Sequence, residues 1–351
     1  LEAGISFEIL LACIIIGLLA IWAAQYFFQA PQPEAKNVVY LKCFDQIPLQ
    51  ETCLLLQSHR IDHIYFLHGT FTGLDPLGTK GIPYLGPASQ LLSQVIKWQV
   101  RGKGTIEKRL VDELSKYIAT TAIDWSGENH HLGRLKGAMH FLEQVEIKNS
   151  TILVVGHSHA AQIMAMVQHM RLETDLGTKL LAYSEALGYN QVKLTMIARK
   201  LRTIPIHWIT LGSRLRLDFP VPDTDFLCHF LNIRDPSTSS LKGLLSANQG
   251  DLVQGWAIEG SDFVPTRPRD AKLNSQLSSV LDKGWAPATW LKNVNSAPRI
   301  QSHGISFLLD YQDSKIPFIS SFKSLWGHGV YFSERAISFQ LYQYILWQDN
   351  K

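Results

Sequence analysis

Apolar residues along this chain fall into two kinds of segment that take turns. Short runs rich in β-branched and aromatic residues occur at Val38–Phe44, Ile61–Leu67, Thr120–Trp125, Ile152–Val155, Ile204–Leu211 and Phe226–Ile233. Each is bounded by polar or turn-forming residues, which predicts a buried strand. Other segments place apolar residues three and four apart: Leu135, Ala138, Met139, Leu142 and Val145; Ala160, Ile163, Met164 and Val167; Ile337, Leu341, Tyr344 and Ile345. That spacing predicts helices with one apolar stripe, and Ser333 is placed to cap the last of them. Helical patterns also cover 88–100, 106–117 and 178–200, the last with a break at Gly188. Strands alternating with helices predict an α/β fold, a mostly parallel central sheet with helices on both faces. Two stretches lack a period. Residues 72–86 are rich in Gly and Pro and read as a loop over a site, and residues 234–302 read as loops with short helices.

The N-terminus follows a different pattern. No charged residue occurs from Ile9 to Pro33, and the densest apolar part, Ile9–Ala24, runs on into Tyr26, Phe27 and Phe28. This approaches the ~20 residues that cross a bilayer, with aromatic residues where a membrane interface would lie. The expected organisation is a transmembrane anchor at 1–30, touching lipid through residues 9–28, a Pro-containing linker at 31–36, and one domain at 37–351. An uncleaved signal peptide would need a basic flank, whereas Glu2 and Glu8 precede the run. Leu1 is not an initiator Met, so the chain reads as a processed or truncated product. The flanking charges do not fix which side of the membrane the domain occupies.

Composition narrows the function classes. The 351 residues are 46% hydrophobic and 18% charged, enough for one domain with a large core. The net charge is only +3 and no dense Lys/Arg run occurs, so nucleic acid is not an expected partner. The four cysteines, Cys13, Cys43, Cys53 and Cys228, have no metal-ligand spacing. Cys43 and Cys53 are either a pair or two reduced thiols.

The segment richest in candidate chemistry is Thr151–Met170. A buried strand runs into Gly156-His157-Ser158-His159-Ala160, and a helix follows. Small residues stand two before and two after Ser158, so strand and helix can approach closely around it. A helix N-terminus behind Ser158 presents backbone N–H groups and the positive end of its dipole. Upstream, the strand ending at Leu67 leads into His68-Gly69-Thr70-Phe71. Downstream, His328 lies in Trp326-Gly327-His328-Gly329, just ahead of the last helix.

These residues resemble the lipase/esterase side of the α/β-hydrolase superfamily over 38–347. The Gly156–Ala160 stretch is similar to its nucleophile elbow, although Ala160 stands where Gly is commoner. The resemblance implies a serine hydrolase of carboxylic esters with Ser158 as nucleophile and no cofactor. It implies an oxyanion hole from the backbone N–H groups of Thr70, after the His-Gly turn, and His159. In the family order of Ser, acid, His, the base is His328, with His303 the second candidate. The acid lies between, and Asp251 and Asp235 are both candidates. Asp251 carries the Asp-x-Val context of lipase-like enzymes, whereas Asp235 precedes Pro-Ser like a turn residue; Asp218, Asp223 and Asp225 are more distant options. Beside a membrane anchor, the implied substrate is a lipid or acyl ester. An acyltransferase or thioesterase would use the same triad, and an inactive membrane-tethered interaction module would keep only the scaffold. Trp125-Ser126-Gly127-Glu128-Asn129 with Arg134 is similar to a segment of uncharacterised bacterial lipase-like proteins. Its residues suggest a strand-to-helix turn in which Ser126 or Asn129 caps the helix and Trp125 packs or lines the site.

Overall fold

The computed structural model of the protein describes residues 37–41, 47–69, 110–148, 150–233, 250–296, 300–311 and 327–350. The N-terminal apolar run, the 72–86 segment, Thr70 and Asp235 lie outside them. Among the described residues no helix is long and apolar enough to cross a membrane.

Among the described residues seven strands form one sheet in the order β1-β7-β6-β5-β4-β2-β3, and every neighbouring pair is parallel. They are β1 (Val38–Leu41), β2 (His63–Leu67), β3 (Ala119–Ile123), β4 (Ile152–His157), β5 (Ile206–Leu211), β6 (Phe226–Asn232) and β7 (Ile305–Leu309). The expected sheet was mostly parallel; its described strands are all parallel. The labelled helices are α1 (Leu49–Ser58), α2 (His131–Gln144), α3 (Ala160–Arg171), α4 (Asp175–Ala186), α5 (Gln191–Leu201), α6 (Leu252–Trp256), α7 (Pro268–Ser278), α8 (Pro287–Ser296) and α9 (Glu334–Asp349). The break expected at Gly188 separates α4 from α5, with that glycine at φ +85°.

Side-chain alternation sorts each strand between two cores. In β4, Ile152 and Val154 join the cluster under α2, α3, α4 and α5, together with Tyr65, Leu67 and Trp208. Leu153 and Val155 point the other way, into the cluster formed with α1, Leu110, Leu114 and α9. A sheet covered on both faces has no polar side, which is why β4 is buried at every position.

Three sequence expectations change. Helix α3 was expected to be amphipathic, but all of its residues are buried. Its polar side chains find partners inside: Gln168 donates to Asp225 and the Pro220 carbonyl, and Arg171 forms a buried ion pair with Asp225. The cap of α2 is neither Ser126 nor Asn129; His130 Nδ1 accepts from the Gly133 N–H at 2.9 Å. Strand β7 and the extent of α7 and α8 were not anticipated. Cys53 and Cys228 are buried free thiols.

The strand order locates the crevice. From β2 the chain proceeds to β3 on one side, then β4 starts a run in the opposite direction through β5, β6 and β7. The carboxyl ends of β2 and β4 therefore flank the point where the order reverses, the usual place for a ligand crevice in an open parallel sheet. His68-Gly69 follows β2, and Ser158 follows β4.

Candidate functional site

Ser158 has φ +57°, a left-handed conformation that a residue with a Cβ adopts at a cost of roughly 1–3 kcal/mol. The surroundings hold it there. Its N–H donates to the Leu211 carbonyl at 3.0 Å, so the ladder with β5 continues to the apex of the turn, and α3 begins two residues later. A Cβ at Gly156 would meet Met164 Sδ at 2.4 Å and Ala160 Cβ at 3.2 Å. Strand and helix thus approach as closely as the small residues at 156 and 160 suggested. The Ser158 side chain is buried, and its Oγ has no hydrogen-bond partner among the described residues.

Asp251 and His328 come together from distant parts of the chain. Asp251 follows β6 in space, its N–H donating to the Asn232 carbonyl at 2.9 Å. Gly250 and Gly327 make the approach possible. Both have positive φ, +85° and +82°, and a Cβ on Gly250 would fall 1.9 Å from the Asn232 oxygen. A Cβ on Gly327 would fall 2.6 Å from the Gly250 oxygen. The two loops are in backbone contact, which brings His328 Nδ1 to 2.8 Å from Asp251 Oδ2. The other carboxylate oxygen caps α6, accepting from the Gln254 N–H at 2.9 Å. Both residues are almost wholly buried.

With Nδ1–H donated to a carboxylate, the proton-accepting nitrogen of His328 is Nε2. It too lacks a partner among the described residues. Ser158 and His328 are not hydrogen-bonded to each other, as is common before a substrate is bound. The imidazole nevertheless sits against the serine turn. Its centroid is 4.3 Å from that of His157, and His157 Nε2–H donates to the His328 carbonyl at 3.0 Å. Burial first, and then the charge of Arg134, holds the pKa of His159 well below its usual value, so that imidazole is neutral.

Of the other sequence candidates, His303 is half-exposed and pairs with Asp218 at 2.9 Å, away from Ser158. Asp225 pairs with Arg171. Asp235 and Thr70 lie outside the described residues; among the described candidates Asp251 is the acid in hydrogen-bond contact with His328.

The 125–134 segment does more than turn the chain. The Trp125 indole N–H donates to the His68 carbonyl at 2.9 Å, and its ring stacks on the His68 imidazole at 5.3 Å. His68 Nδ1–H in turn donates to the Gly69 carbonyl at 2.8 Å. A Cβ at Gly69 would lie 2.9 Å from Ser158 Cβ, so this braced turn faces the serine directly. Farther along, Asn129 donates to the Ser261 carbonyl at 3.2 Å and its own carbonyl accepts the Phe263 N–H at 2.7 Å.

Arg134 enters a buried cluster with Asp262, Arg216, Asp282 and His131. Arg134 and Arg216 both contact Asp262, and Arg216 also reaches Asp282 with 2.6 and 2.5 Å bonds. His131 Nδ1 accepts from Arg134 at 3.1 Å, because a guanidinium only donates, and its Nε2–H reaches Asp282 at 2.9 Å. Burial alone would raise the Asp262 carboxyl, but the charges of Arg134 and Arg216 outweigh it and hold it below its ordinary range. His131, Asp262 and Asp282 offer three ligand atoms within 4.8 Å of one another. Two guanidinium groups already occupy the cation's place and Nε2 carries a proton, so the set does not fit a metal.

The sequence marks Trp125 as a packing or site-lining residue and Arg134 without a catalytic role, and gives no sign of Asn232, Tyr331, Asp262 or Asp282. Asn232 is only a polar residue ending a strand pattern, and Asp262 and Asp282 fall where periodicity is weak, so no local signal marked them. No family model, curated protein or solved structure matches the chain.

Proposed function

We propose that this protein is a membrane-anchored serine hydrolase of the α/β-hydrolase type, cleaving carboxylic esters through an acyl-enzyme. The observation that carries the reading is a buried serine held at φ +57° between strand and helix, beside a histidine that spends one nitrogen on a buried aspartate. That combination is useful to a nucleophile and its base and costly otherwise.

In this reading Ser158 Oγ attacks the ester carbonyl carbon while its proton passes to His328 Nε2. Asp251 holds the ring in the required tautomer and stabilises the imidazolium. The developing oxyanion is received by backbone N–H groups at the start of α3, with His159 as the assigned donor, and by the turn after β2, where the sequence assigns Thr70. The tetrahedral intermediate collapses by breaking the bond to the leaving oxygen, which takes the proton from His328. Water then attacks the acyl carbon and gives its proton to His328. The acyl–Oγ bond breaks, the carboxylic acid leaves, and Ser158 regains its proton. The uncharged run at 9–33 supports a lipid or acyl-ester substrate drawn from a bilayer.

Replacing Ser158→Ala tests this. Hydrolysis of a short soluble aryl ester should fall by at least about 10⁴-fold, with residual turnover from the oxyanion donors, and the melting temperature should not fall. Turnover within a few-fold of wild type would overturn the assignment.

A further inference from the structure

Tyr331 lies three residues after His328, in the 3₁₀ turn Val330–Phe332, and is fully buried. Its hydroxyl sits between two groups of the site. The Asn232 N–H, at the end of β6, donates to the phenol oxygen at 2.9 Å. The phenol O–H is 3.0 Å from Asp251 Oδ2, the same oxygen that receives His328 Nδ1–H. The direction of the second bond is fixed by chemistry: a carboxylate only accepts, so the phenol must donate. Burial first, and the Asp251 charge after it, holds the Tyr331 pKa well above its usual value, so the proton stays on the phenol.

We propose that Tyr331 is a positioning residue for the reaction: its phenol clamps Asp251 against the end of β6 and shares the carboxylate oxygen that orients His328, thereby setting the basicity of the imidazole. This rests on the serine-hydrolase reading and deepens it. Two features separate it from plain core packing. A phenylalanine would fill the same space among Tyr311 and His157, whose rings lie 5.1 and 6.0 Å away, so the hydroxyl is not needed for volume. The clamp is also doubled, since Asn232 Nδ2 donates to the Gly327 carbonyl at 3.1 Å and fixes the His328 loop from the same residue. One asparagine thus registers both acid and base against the sheet: its carbonyl holds the Asp251 backbone directly, and Tyr331 links its N–H to the Asp251 carboxylate.

The phenol's donation draws charge from Asp251. Removing that donation would leave more charge on Asp251 to stabilise an imidazolium, and strengthening it would leave less. The titratable groups facing the pair are His157 from β4, His159 from α3, and Tyr331 itself with Tyr311 behind it; of these the substitutions below alter Tyr331 alone.

The test is the pH profile of kcat/KM on a short soluble ester for Tyr331→Phe in the full chain, with a fluorinated tyrosine at 331 as the second variant. Tyr331→Phe should lose about 10-fold in kcat with KM within two-fold, because a misaligned base acts in the transition state. The acid limb should move to higher pH. The fluorinated phenol keeps the shape and donates more strongly, so its acid limb should move to lower pH. Opposite shifts support the proposal. Unshifted limbs in both variants, or a lower melting temperature with unchanged profile and turnover, would overturn it and leave Tyr331 a packing residue. If Tyr331→Phe does not fold, the fluorinated variant decides alone by the direction of its limb. If wild-type protein has no esterase activity and does not label at Ser158, the hydrolase reading fails rather than the clamp.

Discussion

Two of the histidine–aspartate pairs among the described residues are largely shielded from solvent and chemically opposite. His328 donates Nδ1–H to Asp251 and keeps Nε2 without a partner among the described residues, next to a strained serine. His131 donates Nε2–H to Asp282 and spends Nδ1 on Arg134. Burial and a carboxylate partner are common to both, so neither feature distinguishes a base from a brace. The difference is the unspent nitrogen. The second cluster saturates its charges with two arginines and ties α2 to the segment between β6 and β7. The first leaves one acceptor over, at the sheet's switch point.

The largest expected contrast comes from exchanging each histidine for glutamine. His328→Gln should reduce ester turnover by roughly 10⁴–10⁶-fold with a small change in melting temperature. His131→Gln should do the reverse, lowering the melting temperature while the folded protein keeps turnover within a few-fold. Similar losses of turnover in both would mean that the two histidines do not differ as base and brace.

The aspartates give a smaller version of the same contrast. In Asp251→Asn an amide faces His328 Nδ1 and can select the wrong tautomer, so turnover should drop about 10⁴-fold. Asp262→Asn leaves two buried guanidinium groups under-compensated and should cost about 3–5 kcal/mol of stability, read by denaturant unfolding. If Asp262→Asn is neutral in stability, the cluster is not the brace described.

Much of the site was legible before the fold was. Apolar β4, the small residues at 156 and 160, and the permissive glycine before His328 each report a local backbone demand, and such demands are written in adjacent residues. Asp251 was preferred over Asp235 on the lipase-like Asp-x-Val context of the one and the turn-like Pro-Ser after the other; chain order does not separate them. What stayed hidden is tertiary. Asn232 and Tyr331 matter because two loops meet at Gly250 and Gly327, a contact made by folding and not by spacing. The apolar stripe of α3 gives no sign that its polar face is buried too, because the partners of that face, Pro220 and Asp225, come from the connection that leads from β5 to the start of β6. Trp125 was recognisable as a packing residue, but its indole reaches the turn after β2 only because β3 pairs beside β2 with Leu67 opposite Ile123.

In the proposed reaction Ser158 is a nucleophile activated by the His328–Asp251 pair and not by the His131 cluster. The most direct measurement is covalent labelling by a fluorophosphonate, with the modified residue mapped by peptide mass spectrometry. Attack on phosphorus forms the Oγ–P bond, expels fluoride and leaves the serine proton with the base, so only an activated serine reacts quickly. Labelling is expected on Ser158 in wild type and in His131→Gln, and should be lost in Ser158→Ala and nearly lost in His328→Gln. An adduct on another serine, or undiminished Ser158 labelling in His328→Gln, would contradict the account.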